Sequence, residues 1–233
     1  QELGGKSANI LLPDVDLEDA VRKGIGACFI NSGQSCDAAT RMLVPRELHD
    51  AALRIAADEA AKQITGDPWA EGTVLGPLVS QMQFDKVQRL IKAGIDEGAT
   101  LVCGGLGKPE GLEKGYYAKP TVFGNVTPGM TIEKEEIFGP VLSIVPYDTL
   151  EEAIEIANDT VYGLAAYVQS KDINKAREVA AEMRAGSVYV NYPDIDFTAP
   201  FGGYKQSGNG REYADFALHD FLEIKGIVGY GTP

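Results

Sequence analysis

The strongest constraint on the fold of this chain is a regular alternation between short apolar segments and longer amphipathic ones. The apolar segments predict β-strands at residues 40–44, 100–103, 140–146, 164–169 and 186–191. The amphipathic segments predict one helix from Asp16 to near Ile30, one that begins after Ser80, and others at 47–64, 150–158 and 172–184. Strands that alternate with helices of this length require crossover connections. The sequence therefore predicts an α/β fold, with a largely parallel twisted sheet and helices on both faces.

The charge and composition of the chain exclude several classes of partner. It carries 21 basic and 34 acidic residues, a formal charge of −13, and has no basic cluster, so we expect neither nucleic acid nor an anionic membrane as partner. No apolar run approaches the roughly 20 residues that span a bilayer, and no signal peptide is visible. Three cysteines at irregular spacing form no zinc or disulfide pattern, so we expect no metal site and a reducing, cytoplasmic location. The chain does not begin with Met and can belong to a longer protein.

One of the three cysteines, Cys36, has polar neighbours. It follows Ser32-Gly33-Gln34-Ser35 and precedes Asp37, in a turn between a helical segment and a strand. Such a turn suits a nucleophilic thiol, which must be accessible and held rigidly. Cys28 and Cys103 lie instead within apolar segments and are predicted to be core residues.

Six blocks of sequence span nearly the whole chain. They are Glu2-Leu3-Gly4-Gly5-Lys6, Gly33-Gln34-Ser35-Cys36 with Arg41, Gly66-Asp67-Pro68, Gly76-Pro77-Leu78-Val79-Ser80, Glu135-Glu136-Ile137-Phe138-Gly139-Pro140-Val141 and Pro200-Phe201-Gly202-Gly203-Tyr204-Lys205-Gln206-Ser207-Gly208. A single block is weak evidence, but all six in this order resemble the aldehyde dehydrogenase superfamily.

The resemblance also implies a domain organisation. In this family a dinucleotide-binding domain occupies the first half of the subunit, and the Glu-Leu-Gly-Gly-Lys block lies at its junction with the catalytic domain. Residues 1–6 would be that junction, 7–205 the catalytic domain and 206–233 a C-terminal tail. The chain has no Gly-x-Gly-x-x-Gly fingerprint after a strand. Residues 222–228 alternate as an edge strand does, and in the family such a tail pairs with a neighbouring subunit, which implies a homodimer or homotetramer.

The activity implied by the resemblance is NAD(P)-dependent oxidation of an aldehyde to a carboxylic acid, through a thiohemiacetal and a thioester. Cys36 would be the nucleophile, and its backbone N–H would stabilise the developing oxyanion. Glu2 would be the general base, which first takes up the thiol proton and later activates water. An apolar environment would suit that role, because it raises the pKa of a carboxyl group.

The resemblance further implies residues that contact the cofactor and the substrate. Glu136 would accept hydrogen bonds from the nicotinamide ribose of NAD or NADP, and Phe138 would pack beside it. Leu3 and Gly4 would run past the nicotinamide. The predicted substrate pocket consists of Ser35, Asp37, Ile195, Phe197 and Phe201. Lys205, Arg211 and Glu212 are expected to order the loop rather than to act chemically.

Two alternatives remain open at this stage, a hydrolase and an inactive assembly module. A hydrolase could use the same thiol with water as acceptor, although a ribose-binding acid such as Glu136 has no purpose there. A protease-like Cys/His dyad is poorly supported, since His49 and His219 lie in no motif. The chain could also be an inactive assembly module, and alone it is expected to bind NAD poorly and to reduce none.

Overall fold

The computed structural model describes residues 1–229 and 231, and within them the chain forms one seven-stranded sheet. The strands are β1 Ala8–Leu11, β2 Arg41–Pro45, β3 Thr100–Cys103, β4 Thr121–Gly124, β5 Val141–Tyr147, β6 Ala165–Gln169 and β7 Ser187–Val190. Their order is β3-β4-β5-β2-β1-β6-β7, and only the β3–β4 pair is antiparallel. The predicted α/β fold with a largely parallel sheet is confirmed.

Helices cover both faces of this sheet. They are α1 Leu17–Phe29, α2 Arg46–Ala60, α3 Gln81–Asp96, α4 Thr131–Lys134, α5 Leu150–Asn158 and α6 Ile173–Glu182. Because successive side chains of a strand point to opposite faces, each strand contributes to two cores. One core holds Ile10, Leu43, Val145 and Val168 against α3, α5 and α6. The other holds Leu11, Met42, Val44 and Ile144 against α1 and α2.

The predicted helix starts agree with the observed caps. The side chain of Asp16 accepts a hydrogen bond from the backbone of Asp19, and that of Ser80 accepts one from Gln83, each at 3.2 Å. The helix predicted for 47–64 ends earlier, at Ala60, because the chain leaves it through a turn at 61–62. β1, β4 and α4 had no counterpart in the sequence prediction.

The edge strand predicted for residues 222–228 depends on pairing with a neighbouring subunit, and it stays a prediction. The structure assigns it no strand, and Ile224 and Val228 are 99% and 100% exposed. Alternating side chains favour a strand only where a neighbouring strand supplies backbone partners. The described part of the chain offers none to this segment.

A buried arginine joins the two central strands to two helices. Arg41, on β2, is fully buried and donates through Nε to the carbonyl oxygen of Lys6 at 2.9 Å. Its Nη1 donates to Oε1 of Glu133 on α4 at 2.7 Å and to the carbonyl of Ile156 on α5 at 2.9 Å, and Nη2 donates to the carbonyl of Ala157 at 2.9 Å. Burial lowers the pKa of Arg41, and Glu133 opposes that shift. Four of the five N–H groups of the guanidinium therefore have acceptors, and the carboxylate of Glu133 compensates the buried charge.

Replacing Glu133 tests this arrangement. Glu133→Gln keeps the shape but leaves the buried guanidinium uncompensated, and we expect the free energy of unfolding to fall by about 3–5 kcal/mol. The control is Asp96→Asn, which removes an exposed pair with Lys92 and should cost no more than about 1 kcal/mol. Urea denaturation measures both, and equally small losses would contradict the role given to the buried pair.

Candidate active site

Cys36 lies in the turn that connects α1 to β2. After α1 ends at Phe29, the chain reverses through a short 3-10 turn in which Asn31 and Ser32 have left-handed φ angles of 50° and 58°. The hydroxyl of Ser32 anchors the turn by donating to the carbonyl oxygen of Gly76 at 2.9 Å. Cys36 is half-buried, as expected for a thiol that is rigidly held and still accessible.

The segment 2–6 runs directly beside this turn. A Cβ atom on Gly5 would stand 2.6 Å from the carbonyl oxygen of Cys36, so only glycine allows this approach. The backbone N–H of Leu3 donates to the carbonyl of Ser207 at 2.8 Å, which holds the segment from its other side. The carboxyl group of Glu2 interacts electrostatically with Cys36. The structure thus brings the predicted nucleophile and the predicted base into one site.

Glu136 joins the same site from the middle of the chain. Its Oε1 accepts the backbone N–H of Gly5 at 2.9 Å, and no described residue donates to Oε2. Gly4 has a φ of 90°, and a Cβ atom there would stand 2.5 Å from Oε1 of Glu136. Phe138 adopts a left-handed φ of 57°, and its carbonyl accepts from the side chain of Gln83 at 2.8 Å. Leu3 is 61% exposed. Glu136 therefore meets the segment 2–6 at Gly4 and Gly5, and the roles of all four residues as cofactor contacts stay predictions.

The electrostatic environment keeps the thiol of Cys36 protonated. Burial raises its pKa most, and the negative charges of Asp37 and Glu2 raise it further. The backbone N–H groups of Cys36 and Asp37 act in the opposite direction, because they favour negative charge on the sulfur. No basic side chain of the described residues contributes to the shift. The resting state is a thiol that needs a proton acceptor.

The pKa of Glu2 is also raised. The causes are partial burial, then the nearby carboxylate of Glu212, while the N-terminal ammonium group lowers it and Asp37 adds a further small rise. Glu212 comes close because its backbone exchanges hydrogen bonds with that of Phe201, at 2.6 and 2.8 Å. A raised carboxyl pKa is the property expected of a general base or acid near neutral pH.

Of the predicted pocket residues, Ser35 and Asp37 bind each other. The hydroxyl of Ser35 donates to Oδ1 of Asp37 at 2.7 Å, and the hydroxyl of Tyr167 donates to the carbonyl of Asp37 at 3.1 Å. These contacts fix the residues on both sides of the cysteine.

Phe197 and Phe201 form an aromatic group with Tyr213. The ring of Tyr213 lies 5.3 Å from that of Phe197 and 6.3 Å from that of Phe201, centroid to centroid. Burial and the carboxylate of Asp37 raise the pKa of Tyr189, a hydrogen bond with Ser187 lowers it, and Cys36 and Tyr213 raise it slightly further. Ile195 is 81% exposed and is not brought into the group.

Sequence reasoning did not identify Tyr167, Tyr189 or Tyr213 as residues near the site. It also did not predict that the carboxylate of Glu212 raises the pKa of Glu2. Tyr167 and Tyr189 lie opposite each other on β6 and β7, with ring centroids 5.0 Å apart. The two strand segments that carry these tyrosines were visible in the sequence. The adjacency of the two strands to the Cys36 turn was not, because strand order depends on the whole sheet.

The other cysteines and the histidines have structural environments. Cys28 is fully buried, its Sγ lies 3.6 Å from the carbonyl of Val141, and burial raises its pKa to about 12. Cys103 is half-buried on β3. His49 is buried on α2 and accepts the backbone N–H of Asn125 at 3.3 Å, and His219 is exposed. Within residues 1–229 and 231 there is no group of three or more potential metal ligands, and no helix is long and apolar enough to cross a membrane.

Comparison with known proteins agrees with this geometry. Residues 1–227 match the profile of the aldehyde dehydrogenase family. The chain belongs to the aldehyde dehydrogenase family. One curated relative, the 3-succinoylsemialdehyde-pyridine dehydrogenase of a Pseudomonas species, is 54% identical over 98% of this chain and 48% of its own length. The chain spans about half the length of the curated relatives that it matches.

Solved aldehyde dehydrogenase structures have the same fold. A variant of aldehyde dehydrogenase C from Pseudomonas syringae, crystallised with NAD+ and octanal, superposes with a TM-score of 0.98 and 55% identity, over 100% of this chain and 48% of that one. The Mycobacterium tuberculosis aldehyde dehydrogenase in complex with NAD+ gives a TM-score of 0.94 and 44% identity, over 99% and 48% of the two chains.

The electrostatics of the aldehyde dehydrogenase site predict how Cys36 titrates. Asp37→Asn removes a negative charge and should lower the pKa of Cys36. At a fixed neutral pH more thiolate is then present, and the pH profile of alkylation shifts to lower pH. Iodoacetamide labelling, read by mass spectrometry of the Cys36 peptide between pH 6 and 10, measures the shift. Asp58→Asn, at an exposed position on α2, is the control and should leave the profile unchanged. An unshifted profile in Asp37→Asn would show that Asp37 does not control this thiol.

Proposed function

We propose that the protein to which this chain belongs oxidises an aldehyde to a carboxylic acid with NAD or NADP, and that this chain supplies the catalytic half. In this assignment residues 1–6 are a junction, 7–205 the catalytic domain and 206–233 a C-terminal tail. The observation that carries the proposal is the packing of segment 2–6 between Cys36 and Glu136. It brings a nucleophile, a base and a candidate ribose-binding carboxylate together.

In the first step the sulfur of Cys36 attacks the aldehyde carbon. A C–S bond forms, the carbonyl π electrons move to oxygen, and the thiol proton passes to Glu2 directly or through water. The N–H groups of Cys36 and Asp37, which favour negative charge at the sulfur, are candidate donors to the new oxyanion. The product is a thiohemiacetal.

Glu2 has a second task after the thioester has formed. After the proton from Cys36 has been released to solvent, Glu2 is again a carboxylate and removes a proton from water. The hydroxyl adds to the thioester carbon, the C–S bond breaks, and the proton held by Glu2 passes to the sulfur to restore the thiol. The raised pKa of Glu2 supports this role, because a stronger base removes the proton of water more readily. The carboxylate of Glu212 contributes to the raised pKa, because it disfavours a negative charge on nearby Glu2.

The residues at the junction fit a nicotinamide cofactor. Oε1 of Glu136 is engaged by Gly5, which leaves Oε2 to accept from a ribose hydroxyl. The bare backbone at Gly4 permits close approach of a flat ring, with Leu3 and Phe138 on either side. When bound, the oxidised nicotinamide accepts the hydride that leaves the thiohemiacetal carbon.

The aromatic group around Tyr213 is proposed as the apolar wall of the aldehyde entrance. Phe197 and Phe201 belong to it through their ring contacts, Ile195 stands exposed beside it on the same loop, and Ser35 and Asp37 flank the nucleophile. Such a wall suits the carbon chain of an aldehyde, and octanal is the ligand of the Pseudomonas syringae structure. The charge of −13 gives no support for nucleic acid or an anionic membrane as partner.

The location and assembly of the protein are part of the same proposal. We place it in the cytoplasm as a homodimer or homotetramer. The exposed side chains of segment 222–228, among them Ile224 and Val228, need a covering partner.

Removing the nucleophile tests the mechanism. In the full-length protein, Cys36→Ala should lower NAD(P)H formation from any accepted aldehyde by more than about 10⁴-fold, while NAD binding is kept. Cys103→Ala is the control and should retain activity. An activated ester, supplied with and without nucleotide, separates the hydrolase alternative. NAD(P)H formation that survives in Cys36→Ala would rule the mechanism out.

A pair of glycine substitutions tests the cofactor contact. Gly4 and Gly98 have nearly equal φ angles of 90° and 89°, but a Cβ atom on Gly4 meets Glu136 whereas one on Gly98 meets nothing within 4 Å. Both variants carry the same backbone strain. We expect only Gly4→Ala to raise the Kd for NAD, by about tenfold or about 1.4 kcal/mol. Calorimetry on the full-length protein measures it, and equal effects of the two variants would contradict the contact.

A further inference from the structure

Lys6 is a buried lysine whose ammonium group has no partner. Its side chain is 2% exposed, and Nζ makes no hydrogen bond to any described residue. Burial, and after it the neighbouring guanidinium of Arg41, lower its pKa to about 7. An unpaired charge away from water costs several kcal/mol or more, so this position requires an explanation that the catalytic site does not supply.

The acidic groups near Lys6 are occupied by other cations. Oε1 of Glu133 accepts from Arg41, and its Oε2 accepts the backbone N–H of Gly129 and lies 3.2 Å from Lys134. Asp159 is paired with Lys134. Glu133 and Glu136 raise the pKa of Lys6 only as weaker, more distant influences. The cluster of Lys6, Arg41 and Glu133 therefore carries an excess positive charge.

A small cavity adjoins this cluster. Its volume is about 10 Å³, and Lys6, Arg41 and Arg184 are part of its wall. None of its described lining residues is acidic. Lys205 lies nearby, because Arg184 and Arg41 both lower its pKa. A space of this size holds about one water-sized particle, which favours a small anion.

We propose that the cavity beside Lys6 is a binding site for a halide-sized monovalent anion, such as chloride, which neutralises the buried ammonium group. The anion would accept a hydrogen bond from Nζ and gain from the positive field of Arg41 and Arg184. A water molecule matches the volume but leaves the excess charge uncompensated. The inference does not rest on aldehyde oxidation.

Bromide provides a direct test in the full-length, unmodified protein. Crystals soaked in sodium bromide should show an anomalous peak within hydrogen-bonding distance of Nζ of Lys6. Occupation of the cavity by water alone, with bromide peaks elsewhere, would overturn the proposal. This measurement needs no variant and so does not depend on a substituted protein that folds.

Thermal stability gives an independent readout in solution. A ligand that binds the folded state raises Tm as its concentration increases. Chloride should therefore raise Tm more than gluconate at equal ionic strength, and the difference should shrink as pH rises from 6 to 8, since the ammonium group loses its proton near pH 7. Lys6→Met should abolish the whole chloride-specific shift, and Lys175→Met, on an exposed face of α6, should retain it. A chloride effect that persists in Lys6→Met, or that grows with pH, would refute the site.

Discussion

The buried guanidinium of Arg41 is the interaction on which the site depends. It stands five positions after Cys36 on β2 and holds the carbonyl of Lys6, which ends the segment that carries Glu2. Its other donors reach Glu133 and the end of α5. A desolvated charge stabilises a structure only when all its hydrogen bonds are made. Small displacements of α4, α5 or β1 therefore cost energy, and the nucleophile and the base keep a fixed relation.

Close backbone contacts, in addition to Arg41, hold the parts of the site together. Gly5 lies against the carbonyl of Cys36, and Gly4 lies against the carboxylate of Glu136. Three motifs thus meet here, the first two 31 residues apart and the third 100 residues further along the chain, and the two glycines place no side chain between them. A functional group positioned by main-chain contact has few rotamers available, which suits chemistry that depends on distance.

The sequence was sufficient for the architecture. Strand and helix alternation predicted the parallel sheet, and Asp16 and Ser80 marked helix starts correctly. The polar turn around Cys36 was also recognised from local composition. All of these are short-range signals.

What the sequence could not provide depends on long-range neighbours. Tyr189 and Glu212 reach the site only because β7 and the residues after it fold back over β6. The unpaired state of Lys6 follows from the occupation of Glu133 by other cations, which no local pattern records. The strand predicted at residues 222–228 also depends on a long-range partner, since the described part of this chain has no strand that pairs with it.

The carboxylates around Cys36 also bear on how the protein withstands oxidation. Peroxides attack the thiolate far faster than the thiol, and the environment of Cys36 favours the protonated form. The sulfur is thereby shielded from sulfenic acid formation while the site is empty. Transfer of its proton to a nearby carboxylate would raise its reactivity.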